Sequence, residues 1–182
     1  MKDTQRGKVY RWEDKLFSHH GLTKGVKENN EMSLTQCNAY ASMVWRKFRN
    51  KFYYNFDKNR ITCRRVICSN HANGTKGLAY SGFYYVNRKK NYKKGKPNMY
   101  KKMQLPKWAR SKHIIIHEVS HFLAPETSMH DKKFVGVYVY LLHKFLNFDL
   151  QHMIDSLNEA KIEFSFNTSP YLNRKFNSAR KK

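Results

Sequence analysis

Apolar positions in this chain recur mostly at intervals of three and four, the spacing of one helix face, and lose that rhythm only in the middle. Val9, Tyr10, Trp12, Leu16 and Phe17 form an early patch that predicts a short helix packed on the body. Ser33-Leu34-Thr35-Gln36 fits a capping box, in which serine and glutamine side chains each take up an unpaired amide of the first turn. From there Leu34, Cys37, Tyr40, Ala41, Val44, Trp45 and Phe48 keep helical spacing for about four turns. Residues 60–69 and 77–87 are rich in Ile, Val, Tyr and Cys and read as strands. The turn residues between them include Asn73-Gly74, a dipeptide typical of hairpins. Tyr100, Met103 and Leu105 predict a third short strand.

The chain then returns to helix. Pro106 suits a first helical position, because the amide it lacks would be unpaired there. Ile115, Ile116, Val119, Phe122 and Leu123 fill one arc of the helix that follows. Pro125 disfavours helical geometry at Ala124, so this helix ends near Leu123. Ser128-x-x-Asp131 resembles an N-cap, with Phe134, Val135, Tyr138, Leu141, Leu142 and Phe145 on the next helix and His130 in its first turn. Asp149 caps a last helix carrying Leu150, Met153, Ile154 and Leu157. The expectation is an α+β fold: a small, mostly antiparallel sheet of about three strands, the central helix and about three further helices. Residues 1–165 read as one domain and 166–182 as a flexible basic tail.

The arc opposite the apolar face of the central helix carries the chemistry. His117 and His121 lie one turn apart on one side, with Glu118 between that side and the apolar arc. An ordinary amphipathic helix puts Lys and Glu on its outer face. Two imidazoles flanking a glutamate suit Zn²⁺, with Glu118 as base toward a water in the open fourth position. A catalytic zinc takes three protein ligands. His130 is the expected third, with Glu126 and Asp131 as rivals. His113, one turn before His117, reads as a neighbour, because three ligands in a row along a straight helix fan out too far. His19, His20, His71, His143 and His152 show no ligand spacing and read as surface or structural. Tyr138, Tyr140 and His143 are weak candidates for stabilising an oxyanion.

These residues resemble the HExxH metallohydrolase family known mainly from actinobacteria and their phages, within the zincins that include SprT-like proteases. The resemblance lies in Asp3-x-Gln5-Arg6-x-x-Val9-Tyr10-x-x-Glu13, in Gly77 to Tyr80, and in Leu105-Pro106-x-x-Ala109-Arg110. It continues through His117-Glu118-x-x-His121-x-Leu123-Ala124-Pro125 and His130-x-x-x-Phe134, and so spans most of the chain. It implies a zincin-like fold, zinc hydrolase chemistry and a third ligand at His130. By the same analogy the strand running into the central helix forms the edge of the cleft and pairs with an extended peptide. Asp131 stands where the family has glycine, and a basic stretch around residues 88–102 has no counterpart in it.

Charge changes the picture of partners. The chain carries 36 Lys and Arg against 13 Asp and Glu, a net charge of +23. Such a field attracts polyanions. The densest cluster is Arg88, Lys89, Lys90, Lys93, Lys94 and Lys96, followed by Lys101 and Lys102, with Tyr92 and Tyr100 interleaved as possible base-stacking rings. No zinc finger, RNP motif or helix-turn-helix signature supports sequence-specific binding. No apolar run approaches the roughly 18 residues of a membrane span, and no signal peptide is evident, so a cytoplasmic location is expected. Cys37, Cys63 and Cys68 read as buried free thiols rather than a disulfide framework.

Two classes of function follow. One is a zinc-dependent hydrolase, foremost a metallopeptidase acting on a peptide or protein. The other is a basic protein binding DNA or RNA non-specifically, with a structural or inactive zinc site. A protease acting on DNA-bound proteins combines them.

Overall fold

The computed structural model describes residues 3–20, 32–52, 66–70, 80–85, 99–125, 129–167 and 171–174. In chain order the elements are α1 (Arg6–His19), α2 (Leu34–Phe52), β1 (Val66–Ser69), β2 (Tyr80–Tyr85) and β3 (Met99–Gln104). A single 3₁₀ turn (Lys107–Ala109) leads to α3 (Lys112–Leu123), α4 (Lys132–Leu146) and α5 (Leu150–Glu159). The fold is α+β. Four helices surround α3 among the described residues, where three were expected.

Local chemistry sets most boundaries. Ser33 and Gln36 form the reciprocal capping box of α2: the Gln36 amide donates to Ser33 Oγ (3.2 Å) and the Ser33 amide to Gln36 Oε1 (2.8 Å). Ala124 is extended (ψ 159°) ahead of Pro125, which ends α3 at Leu123. The start of α3 differs from expectation. Pro106 opens only the 3₁₀ turn; Arg110 (ψ 55°) leaves helical geometry, and α3 starts after an extended Ser111. Asp131, not an earlier residue, caps α4, accepting from the amides of Lys133 (2.9 Å) and Phe134 (3.0 Å). His130 therefore stands just before the cap rather than in the first turn. Ser128 and Glu126 lie outside the described residues. Asn147 closes α4 in the left-handed conformation that Asn tolerates, and Asp149 caps α5 as expected.

The sheet has order β1-β3-β2 and is mixed. β1 runs parallel to β3, with Val66 opposite Lys101, and β2 runs antiparallel to it, with Tyr80 opposite Gln104. Only one of the two pairings matches the expected antiparallel arrangement. The strand leading into α3 is not an edge: β3 is central, and its backbone is paired on both sides. β1 and β2 are not neighbours in the sheet, and the turn expected at Asn73-Gly74 lies outside the described residues. Strand order is a long-range property that turn residues do not encode. Ser42 holds α2 to β1, its hydroxyl bonding both the amide and the carbonyl of Val66 (3.1 Å each).

α3 runs through the middle, against α2, α4 and β2. His113, Ile115, Ile116, His117, Glu118, Val119, Ser120, Phe122 and Leu123 are all buried. It is thus covered nearly all round, where the side opposite the apolar arc was expected to face a cleft; His121 stays half-buried. Trp45, Phe48, Phe122, Phe134 and Leu141 fill the surrounding core, each contributing roughly 1.5–3 kcal/mol by burial. Phe166 and Leu172 are also buried, and Tyr171 packs on Phe48 and Phe52, so the packed body passes the boundary expected at 165. The tail from 175 is outside the described residues. Among the described residues no helix is long and apolar enough to cross a membrane. Cys37 and Cys68 are buried and form no disulfide among the described residues, and burial pushes the Cys68 thiol up to about 12; Cys63 is not among the described residues.

Gly136 in α4 is dictated by close approach. A Cβ there would lie 1.9 Å from the carbonyl oxygen of Ser165, whose amide donates to Lys132 O (2.8 Å). Neither backbone can yield without parting that bond. Gly136→Ala is expected to destabilise the protein by about 2 kcal/mol or more, read as a lower midpoint in chemical denaturation; unchanged stability would contradict the packing described.

Candidate metal centre

Three imidazoles meet at the end of α3. The ligand atoms of His117, His121 and His130 lie within 4.8 Å of one another, and the Nε2 atoms of His117 and His130 are 3.3 Å apart. α3 supplies the first two one turn apart, and the α3–α4 loop brings back the third. Of the carboxylates weighed as the third ligand, Asp131 is committed to capping α4, and Glu126 is outside the described residues.

Two of the rings are held from behind. His117 Nδ1 donates to Glu13 Oε1 at 2.5 Å, and His130 Nδ1 donates to Asp3 Oδ2 at 2.6 Å. Each carboxylate fixes its ring's tautomer, putting the proton on Nδ1 and the lone pair on Nε2, and raises that nitrogen's basicity. Gln5 adds a backbone clamp: its Nε2 donates to His130 O and to Glu163 O (both 3.3 Å), and its Oε1 accepts from the Glu163 amide (2.7 Å). His121 stacks on Phe134, with centroids 4.2 Å apart.

Tyr10 completes the cluster. Its ring stacks on His117 (5.7 Å, 23°) and stands edge-on to His130 (5.1 Å), with the Arg6 guanidinium 5.5 Å from its centroid. Burial raises the Tyr10 phenol above its ordinary value despite Arg6 beside it, so it stays protonated and can donate. Glu118 is buried and near enough for its charge to act on Tyr10 and Tyr138. Burial also lowers the pKa of His130, against the pull of Asp3. Desolvation is thus the main cause.

The other predicted positions separate cleanly. Tyr138 lies beneath His117 (centroids 5.2 Å apart), wholly buried, its phenol pushed well up by burial and then by Glu13. Tyr140 meets the hydroxyl of Tyr171 (3.1 Å) within the Phe48–Phe52 cluster, and His143 donates to Phe148 O (2.8 Å). None of these three is placed to meet an oxyanion; Tyr10 is the tyrosine over the centre. His113 is not part of the cluster: it packs on Phe17 at 4.4 Å, and burial holds it down at about 4. Arg88, Lys89, Lys90, Lys93, Lys94 and Lys96 lie outside the described residues, and Lys101 and Lys102 lie on β3.

The carboxylates were the residues that sequence reasoning left without a role. Asp3, Gln5, Arg6, Tyr10 and Glu13 all appear in the opening segment of the family resemblance, and every one of them touches the centre or a residue that does. Glu13 also carried a signal of its own. It lies beside Val9, Trp12 and Leu16 on the buried face of α1, where an unpaired carboxylate would be costly. Comparison of the chain with family models, curated proteins and solved structures returned no match, so the centre is read from its own geometry.

The donor set fits a divalent transition ion: three imidazole nitrogens, two of them on buried rings backed by carboxylates. Glu13→Gln and Asp3→Asn are each expected to weaken metal binding 10–100-fold, measured by competition with a chromophoric chelator; unchanged affinity would remove the carboxylates from the centre. His113 gives a separate pH signature. Its folded value of about 4 lies below the unfolded value of about 6.5, so the unfolded chain takes the proton first. Its contribution is complete above pH ~6.5 and is lost as pH falls toward 4, roughly 3 kcal/mol in all. In metal-free protein, His113→Leu should flatten that part of the acid limb in denaturation measured against pH.

Proposed function

We propose that this chain is a zinc-dependent hydrolase of the metallopeptidase type, with a zincin-like centre. The observation that carries the proposal is the convergence of His117, His121 and His130, two of them carboxylate-backed, beside Glu118. The three rings would hold the ion, His117 and His130 through Nε2. A zinc ion there supplies Lewis acidity, polarising a carbonyl and acidifying water. Glu118 takes the proton from the attacking water and returns it to the leaving amine. Tyr10, neutral and next to both His117 and His130, donates to the oxyanion that forms. Glu13 and Asp3 keep the imidazoles in register while charge builds.

β2 supplies a place for substrate. Among the described residues it is an edge of the sheet, and it packs against the helix that carries His117 and His121, so an extended peptide could add to it. This moves the peptide-pairing role from β3, whose two sides are occupied, to β2. A structural site would call for a fourth protein ligand, and the cluster has three members among the described residues.

Protein expressed in zinc-replete medium should carry about one equivalent of zinc by elemental analysis; less than a tenth would refute the metal assignment. In a peptidase assay Glu118→Gln should abolish turnover while keeping zinc and the melting temperature. Tyr10→Phe should lower kcat by ~10²–10³ with KM little changed. Full activity in Glu118→Gln would refute the mechanism.

A further inference from the structure

α1 has a second working face. Lys8, Arg11, Lys15 and His19 follow one another at spacings of three and four, the spacing of one helix side. Glu13 and Tyr10 fall on the other side, toward the histidines. The cationic side lines a groove of about 630 Å³ between α1 and α5, with His152 and Glu159 on the opposite wall. Its floor is fixed by Trp12, whose indole Nε1 donates to Ser156 Oγ (2.8 Å). Lys8 Nζ donates to Lys161 O at one end (3.1 Å), and the rings of His19 and His152 stack across the other, 5.4 Å apart.

Like charges three and four apart weaken a helix, and Glu159 is the one carboxylate among the groove's lining residues. From Lys8 to His19 the row spans about 17 Å along the axis, at ~1.5 Å per residue. A row of that length matches an extended polyanion better than a single phosphate. Spread over that length, about 630 Å³ leaves a channel roughly 6 Å across, room for one extended strand and not for a duplex. We propose that the α1–α5 groove binds the backbone of single-stranded nucleic acid, with His19 and His152 against its bases. This holds whether or not the metal centre is catalytic.

The test is fluorescence anisotropy of the full chain with a labelled oligothymidylate of about fifteen nucleotides, across a salt series. Neutralising Lys8, Arg11 and Lys15 together to Gln should raise Kd at least tenfold. It should also reduce the slope of log K against log salt by about 2, at ~0.7 per lost contact. Neutralising Arg46, Lys47 and Lys51 on α2 changes net charge equally and should leave Kd within about threefold. Equal losses in the two triples would show a diffuse field and overturn the proposal. So would equal affinity for a duplex or for polyglutamate of matching charge. Photo-crosslinking of wild-type protein to a bromouracil-substituted strand needs no variant. Adducts should map to residues 8–19 or 152–160, and adducts confined to other segments would overturn the assignment.

Discussion

The structure depends on two hydrogen bonds between carboxylates and imidazoles, each joining residues more than a hundred positions apart. Glu13 and His117 are separated by 104 residues, Asp3 and His130 by 127. A carboxylate taken out of water is costly unless it is paired and hydrogen-bonded. The Glu13 side chain therefore anchors α1 where the ring of His117 awaits it, and Gln5 and Asp3 follow onto the α3–α4 loop. The same bonds that satisfy buried charge also orient the lone pairs of the centre, so architecture and chemistry rest on one set of contacts.

That coupling explains an unusual helix. α3 is buried on nearly every side yet carries His113, His117, Glu118 and Ser120. Three of the four are accommodated in different ways. His113 is neutral against Phe17, Ser120 donates to its own helix at Ile116 O (2.7 Å), and His117 is bonded to Glu13. A buried helix with this many polar groups is stable only with such partners, because each unmet one would cost on the order of 1–3 kcal/mol.

Much of this was legible in the chain. The HExxH spacing, the stop at Pro125, the capping box at Ser33 and the cap at Asp149 are local features, and local chemistry decides them. What escaped was non-local. The insertion of β3 between β1 and β2 depends on which strands meet in space. The cap at Asp131 rather than at Ser128 moved His130 out of the helix, a shift of a few residues that periodicity does not resolve. Glu13 was visible as a charge on an apolar face, but its partner was not. Leu172 was assigned to a fraying tail because its neighbours are polar, although it is completely buried.

The docking of α1 has a consequence for biosynthesis. The helix is made before its partners, since Glu13 precedes His117 by 104 residues and Asp3 precedes His130 by 127. Until they follow, its Glu13 side has nothing to settle on. A chain cut between α1 and α3 would part His117 and His130 from their braces, and any ion the three rings could hold would be held only loosely.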